Sequence, residues 1–197
     1  MKLKDYLPIH CDTSGLLGLS KQIADILLAD QASKVIDVSS HVNISGASTI
    51  PFLQKEAGQA LIAAIAEKGS KPGLVHAIRV LPQQAAVSFW FLHGKMCGIK
   101  LAANPGSSPH ERGIAIDINN HPAWKAVLKK HGWIWRGAAD PPHFNFHGGH
   151  DPDFGIESIR AFQKLWNLHN AEKIEEDGVF GPITQKKLGL SPTEGFS

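Results

Sequence analysis

Six of the eleven histidines, His110, His121, His131, His143, His147 and His150, fall between positions 110 and 150, interleaved with aspartates. Imidazole and carboxylate groups are the donors of hydrolytic zinc sites, which take three protein ligands and keep a fourth position for water. The stretch SSPHERGIAIDI offers His110 and Asp117. A strand sends alternate side chains to opposite faces, so Ile114, Ile116 and Ile118 share one face while Gly113, Ala115 and Asp117 share the other. PHFNFH alternates in the same way, with Phe144 and Phe146 on one side and His143, Asn145 and His147 on the other. His143 is therefore the third candidate ligand beside His110 and Asp117. His147 and His150 read as solvated loop residues, because three ligands already suffice.

Zinc lowers the pKa of bound water to about 7, and a carboxylate outside the ligand set must then take up and return the proton. Asp140 has the right place, three residues before His143 across Pro141 and Pro142, whose restricted backbones fix the offset. Amide hydrolysis also needs a cation where negative charge develops on oxygen. Arg79, between apolar residues in HAIRVLPQQ, is the candidate.

Positioning these groups falls to a few strands set among helices. Residues 15 to 30 read as a helix, and KVIDVSSHVNISG has strand-like β-branched content. In PFLQKEAGQALIAAIAEKG, Leu53, Ala57, Leu61, Ala64 and Ile65 follow a helical period that Gly69 ends. GLVHAIRV and AAVSFWFL are apolar segments, NPGSSP is a loop, and HPAWKAVLKKHG reads as a helix closing at Gly132. WIWRGAADPPHFNFHGGHDPDFG is a strand-and-loop region thick in Gly, Pro and Asp at 148 to 155. A boundary is expected there, giving a domain at 1–150 and a short helical module at 151–197. In the latter, IESIRAFQKLWNLH is amphipathic, with Ile159, Phe162, Leu165 and Trp166 on one face. The order of elements argues for an α+β fold, a small antiparallel sheet with flanking helices, rather than repeated βαβ units.

Composition narrows the function. Twenty Lys+Arg against eighteen Asp+Glu, evenly scattered, leave no footprint for nucleic acid. The longest apolar run, ALIAAIA, is far short of a membrane span, and MKLKDYLPIHCDTSG lacks the apolar core of a signal peptide. Cys11 and Cys97 are too few for a disulfide framework or a cysteine zinc site, and whether they pair is open.

Three separated motifs resemble a known family. Ser108-x-His110-x-x-Gly113-x-Ala115-x-Asp117 is similar to the S-x-H-x-x-G-x-A-x-D signature of the zinc D-alanyl-D-alanine carboxypeptidases and L-alanyl-D-glutamate endopeptidases, which cut peptidoglycan stem peptides. Asp140-x-x-His143 resembles their second motif, and Trp133-x-Trp135 followed by DPPHF is closest to the endopeptidase branch. Arg79 with Gln84 matches R-x-x-x-x-Q, although the usual S-G-Y before the arginine is here His76-Ala77-Ile78.

Over residues 35 to 150 the resemblance implies Zn2+ on His110, Asp117 and His143, with Asp140 as base. It implies Arg79 at the substrate or transition state, Gln84, Ser108 and Trp135 against substrate, and the small fold shared with the hedgehog signalling domain. SIRAFQKLWN and EEDGVFGPIT are similar to the latter part of a helical peptidoglycan-binding domain, whose usual first helix is missing or absorbed into 148 to 156.

The expectation is a monomeric zinc peptidase of the cell wall, made in the cytoplasm without a signal peptide and reaching the wall by holin-type release or contact-dependent secretion. The alternatives are a catalytically inactive, zinc-containing wall binder and a non-haem iron oxygenase, whose facial triad has the same donor types.

Overall fold

β-Branched and aromatic residues at alternating positions build the sheet that carries the candidate ligands. In the computed structural model, which describes residues 1–148 and 153–197, five strands lie in the order β2 (Asn43–Ile44), β4 (Gly73–His76), β5 (Ala115–Ile118), β7 (His143–Phe146), β6 (Trp133–Trp135). β2 runs parallel to β4, and every other pairing is antiparallel. A separate two-stranded ladder joins β1 (Val35–Asp37) to β3 (Phe52–Gln54). Among the described residues seven α-helices surround them: α1 (Leu3–Tyr6), α2 (Leu17–Asp30), α3 (Lys55–Lys68), α4 (Leu81–Leu92), α5 (Lys125–Lys130), α6 (Phe154–His169) and α7 (Pro182–Leu190). The fold is α+β, as the order of elements implied.

Ile116, Ile118 and Phe144 stand on one face of the sheet and pack with Leu61 and Ala64 of α3 and Leu128 of α5 into one hydrophobic cluster. A second cluster gathers Leu3, Leu19, Ile23, Leu81, Trp90, Phe162, Leu165 and Trp166 from α1, α2, α4 and α6. The amphipathic stripe read in α6 is thus buried. The expected boundary falls on residues 149–152, outside the described residues, together with His150. The helices beyond it share the second cluster with the N-terminal ones, and the chain ends are joined by Leu3 N–H to Ser191 O (2.9 Å) and Thr193 N–H to Met1 O (2.8 Å).

Some segments differ from their local reading. Phe52 to Gln54, expected to be helical, are drawn into an antiparallel pairing with β1, so the helix starts at Lys55 and ends at left-handed Gly69, as expected. The strand-like stretch at 34 to 46 is broken by a 3-10 turn at Ser39–His41. AAVSFWFL lies inside α4, whose second residue, Pro82, suits a helix start. Two of that helix's unpaired amides find side-chain acceptors: Val80 N–H donates to Gln83 Oε1 (3.2 Å) and Leu81 N–H to Ser158 Oγ of α6 (2.8 Å). Among the described residues no helix is long and apolar enough to cross a membrane.

Cys11 and Cys97 form a disulfide across 86 positions, tying the N-terminal segment to the turn after α4. Closing so long a loop restricts the unfolded chain, so the Cys97→Ser variant is expected to lose roughly 2–4 kcal/mol. Urea denaturation reads this as a lower midpoint, and an unchanged midpoint would show that the bond contributes nothing.

Candidate metal centre

The three central strands put one row of polar side chains across the sheet. Directly opposed residues of antiparallel strands project from the same face. The registers pair His76 of β4 with Asp117 of β5 and Asp117 with His143 of β7. Between Leu74 and His76 the register shifts, so that Leu74 faces Ile118 on the core side while His76 faces Asp117 on the other. Strict alternation would have buried His76 beside Leu74.

His110 joins this row from the turn before β5. Left-handed Gly113 (φ 68°) makes that turn, and a Cβ there would lie 3.1 Å from Gln54 N. Ser108 Oγ accepts from His110 N–H (3.3 Å), and Glu111 Oε2 accepts from Gly106 N–H (2.8 Å) and Ser108 N–H (3.1 Å). Buried carboxylate and hydroxyl groups therefore hold the loop that carries the ligand.

The hydrogen bonds set which ring nitrogens are free. His110 Nδ1 donates to Ala77 O (2.8 Å) and His143 Nε2 donates to Asn145 Oδ1 (2.8 Å). The lone pairs of His110 Nε2 and His143 Nδ1 then face each other at 3.1 Å. Asp117 closes the group, with Oδ1 3.0 Å from His143 Nδ1 and Oδ2 3.3 Å from His110 Nε2. One ligand atom from each of the three residues lies within 4.8 Å of the others, with both histidines buried. Tetrahedral ligation at about 2.0–2.1 Å spaces donors about 3.3 Å apart, so the residues fit a metal ion. The group could hold one.

Burial pushes the His110 pKa down to about 4, with Asp117 opposing and Arg79 adding to the effect, so its lone pair is free at neutral pH. Burial alone would raise the Asp117 pKa, but the imidazoles of His110, His143 and His76 packed against its oxygens hold it well below the usual carboxylate range. Burial pushes Glu111 up to about 7 against its two backbone hydrogen bonds, and its Oε1 has no partner among the described residues.

The row opens into a cavity of about 940 Å³. Asp140 lines it, 38% exposed, with Oδ2 3.9 Å from His143 Nδ1. Arg79 lines it too: its N–H donates to His110 O (3.1 Å) and its guanidinium to Gln84 Oε1 (2.9 Å). Burial lowers the Arg79 pKa, and the carboxylates of Asp117, Glu111 and Asp140 oppose this.

Gln84 and Ser108 also line the cavity, yet both are occupied. The Gln84 amide bridges Arg79 and Ala103 O (2.8 Å), and Ser108 supports the His110 loop. Trp135 does not line the cavity. It lies opposite Phe144 on the other side of the sheet, its indole donating to Pro141 O (2.8 Å) and Lys125 Nζ lying 3.1 Å from its ring centroid.

His76 is the site residue that sequence reasoning missed. Its Nδ1 lies 3.2 Å from Asp117 Oδ2, and it lines the same cavity. The signal was its place in HAIR just before Arg79, hidden by a register shift. In comparison with known proteins, the chain matches no family model and no curated protein.

Two outcomes follow from this geometry. Groups that orient a metal-binding side chain are worth about 10–100-fold in metal affinity. His76→Phe should weaken Zn2+ binding by that factor in competition with a chromophoric chelator, and equal affinity would show that Asp117 needs no support. Glu111 is protonated in the folded chain up to about pH 7 but ionises near 4.5 when unfolded, so its contribution to stability is lost as pH rises between those values. Glu111→Gln does not titrate, and its stability relative to the wild type should climb across that window in denaturation at a series of pH values. A difference independent of pH would mean Glu111 is ionised throughout.

Proposed function

We propose that the protein is a zinc peptidase that hydrolyses an amide bond in peptidoglycan stem peptides. The observation that carries this reading is Asp140, a carboxylate outside the converging donor set that stands beside it in the same cavity. A site that only binds metal, or a domain that only binds wall, has no use for a partly exposed base there. The motifs of Ser108 to Asp117 and of Asp140 and His143, similar to those of the zinc stem-peptide carboxypeptidases and endopeptidases, support the substrate class.

In this reading His110 Nε2, His143 Nδ1 and one Asp117 oxygen hold the ion. A zinc ion there supplies the acidity that ionises water near neutral pH and polarises the substrate carbonyl. Asp140 accepts the proton of the attacking water and delivers it to the leaving amine. Arg79, held by Gln84, presents positive charge to the oxygen on which negative charge grows. His76 keeps Asp117 oriented through its second oxygen.

Peptidoglycan is the partner this reading implies, met by a monomer in the periplasm or outside the cell after holin-type release or contact-dependent secretion. The Cys11–Cys97 disulfide supports an oxidising compartment. The C-terminal motif resembling a peptidoglycan-binding domain has a structural use as well. Gln163 Nε2 donates to Asp177 Oδ1 (2.7 Å) and Gln163 Oε1 accepts from Gly178 N–H (2.8 Å), which clamps the D-G turn onto α6. Exposed Val179 and Ile183 beside that turn are the surface we assign to wall contact.

Digestion of purified peptidoglycan by the zinc-loaded protein, with mass analysis of what is released, tests the proposal. Wild type should release stem-peptide fragments, and Asp140→Ala should slow release by about 10²–10⁴-fold while keeping its zinc. Intact peptidoglycan after treatment with metal-loaded wild type would overturn it.

A further inference from the structure

We propose that Arg136 anchors a free carboxylate of the substrate, so that the site selects peptides carrying one close to the scissile amide. This deepens the peptidase reading above and rests on it for the identity of the substrate. Continuing the β6–β7 register beyond Trp135 opposite Phe144 puts Arg136 opposite His143, and Arg136 N–H donates to His143 O (3.0 Å). Opposed residues share a face, so the guanidinium leaves the sheet on the side of the metal ligands, while Trp135 leaves on the other.

Arg136 lines the same cavity as His143 and Asp140. Only two Lys or Arg residues among the described lining residues do so, Arg79 and Arg136. They are in opposite situations. Arg79 is committed to Gln84 and already has the carboxyl groups of Asp117, Glu111 and Asp140 acting on it.

Arg136 is exposed, and among the described residues its side chain has no hydrogen-bond or ion-pair partner. The next three residues, Gly137, Ala138 and Ala139, carry no bulk that would cover it. A planar fork of donors without an acceptor, at the rim of a cavity whose inner cation is already engaged, is suited to bidentate capture of a carboxylate. An acid side chain or chain terminus near the cleaved amide has the required chemistry, and its carboxamide does not.

The test compares a synthetic stem peptide with free carboxyl groups against the same peptide with those groups amidated. Calorimetry reads their binding to the zinc-loaded wild type and to the Arg136→Ala and Arg136→Lys variants. Because Arg136 is exposed, melting temperature and zinc content should match the wild type and certify the fold. Wild type should bind the acid about tenfold more tightly than the amide. The preference should vanish in Arg136→Ala and be partly kept in Arg136→Lys, which retains charge but not the fork. In cleavage assays the loss should appear in KM.

Arg136→Ala with an undiminished preference, or wild type with no preference, would overturn the assignment. Wild type that prefers the acid through Arg136 yet cleaves nothing would leave the anchor standing and remove the peptidase reading. Cleavage with a preference indifferent to Arg136 would do the reverse.

Discussion

Electron pairs gathered in one buried place impose a demand on everything around them. His110 and His143 each commit a ring proton outward, to Ala77 O and to Asn145 Oδ1, so that two lone pairs and the Asp117 carboxylate converge without a proton between the rings. Such a cluster is unfavourable unless a cation joins it, because buried charge needs a partner. The strand register, the His110 turn and the second contacts on each ligand all serve to hold it. The depressed His110 pKa belongs to the same constraint, since burial that disfavours imidazolium leaves the ring free for a metal.

Support for the cluster comes from both sides of the sheet. Beneath it, Ile116, Ile118 and Phe144 alternate with the functional residues and lock the strands onto α3 and α5. A one-residue slip would exchange the two faces, so apolar packing and ligand placement are enforced together. Behind it, α4 brings Gln84 to Arg79, and Ser158 on α6 satisfies the first turn of α4. The C-terminal helices thus reach the site through α4.

The convergence of His110, Asp117 and His143 into a group that could hold a metal was legible because it depends on two local regularities, alternation in the strands 115–118 and 143–146 and the donor chemistry of histidine and aspartate. The α6 stripe was legible for a similar reason: a strong helical period with a buried face survives its tertiary context. Residues whose place depends on distant pairing were not. Phe52 to Gln54 became a strand because β1 lies beside them, His76 reached the site through an irregular register, and Trp135 went to the core side one position before Arg136 turned to the cavity. Whether Cys11 and Cys97 pair depends on bringing positions 86 apart together, which no local pattern encodes.

X-ray absorption spectroscopy of the protein loaded with one equivalent of Zn2+ addresses the metal centre most directly. The proposed zinc site should take up one ion per chain in a shell of nitrogen and oxygen at about 2.0–2.1 Å, without sulfur and with the outer-shell scattering of two imidazoles. The two-imidazole signal should shrink to one in His110→Ala. A failure to bind one ion per chain, or a shell lacking imidazole, would contradict the account.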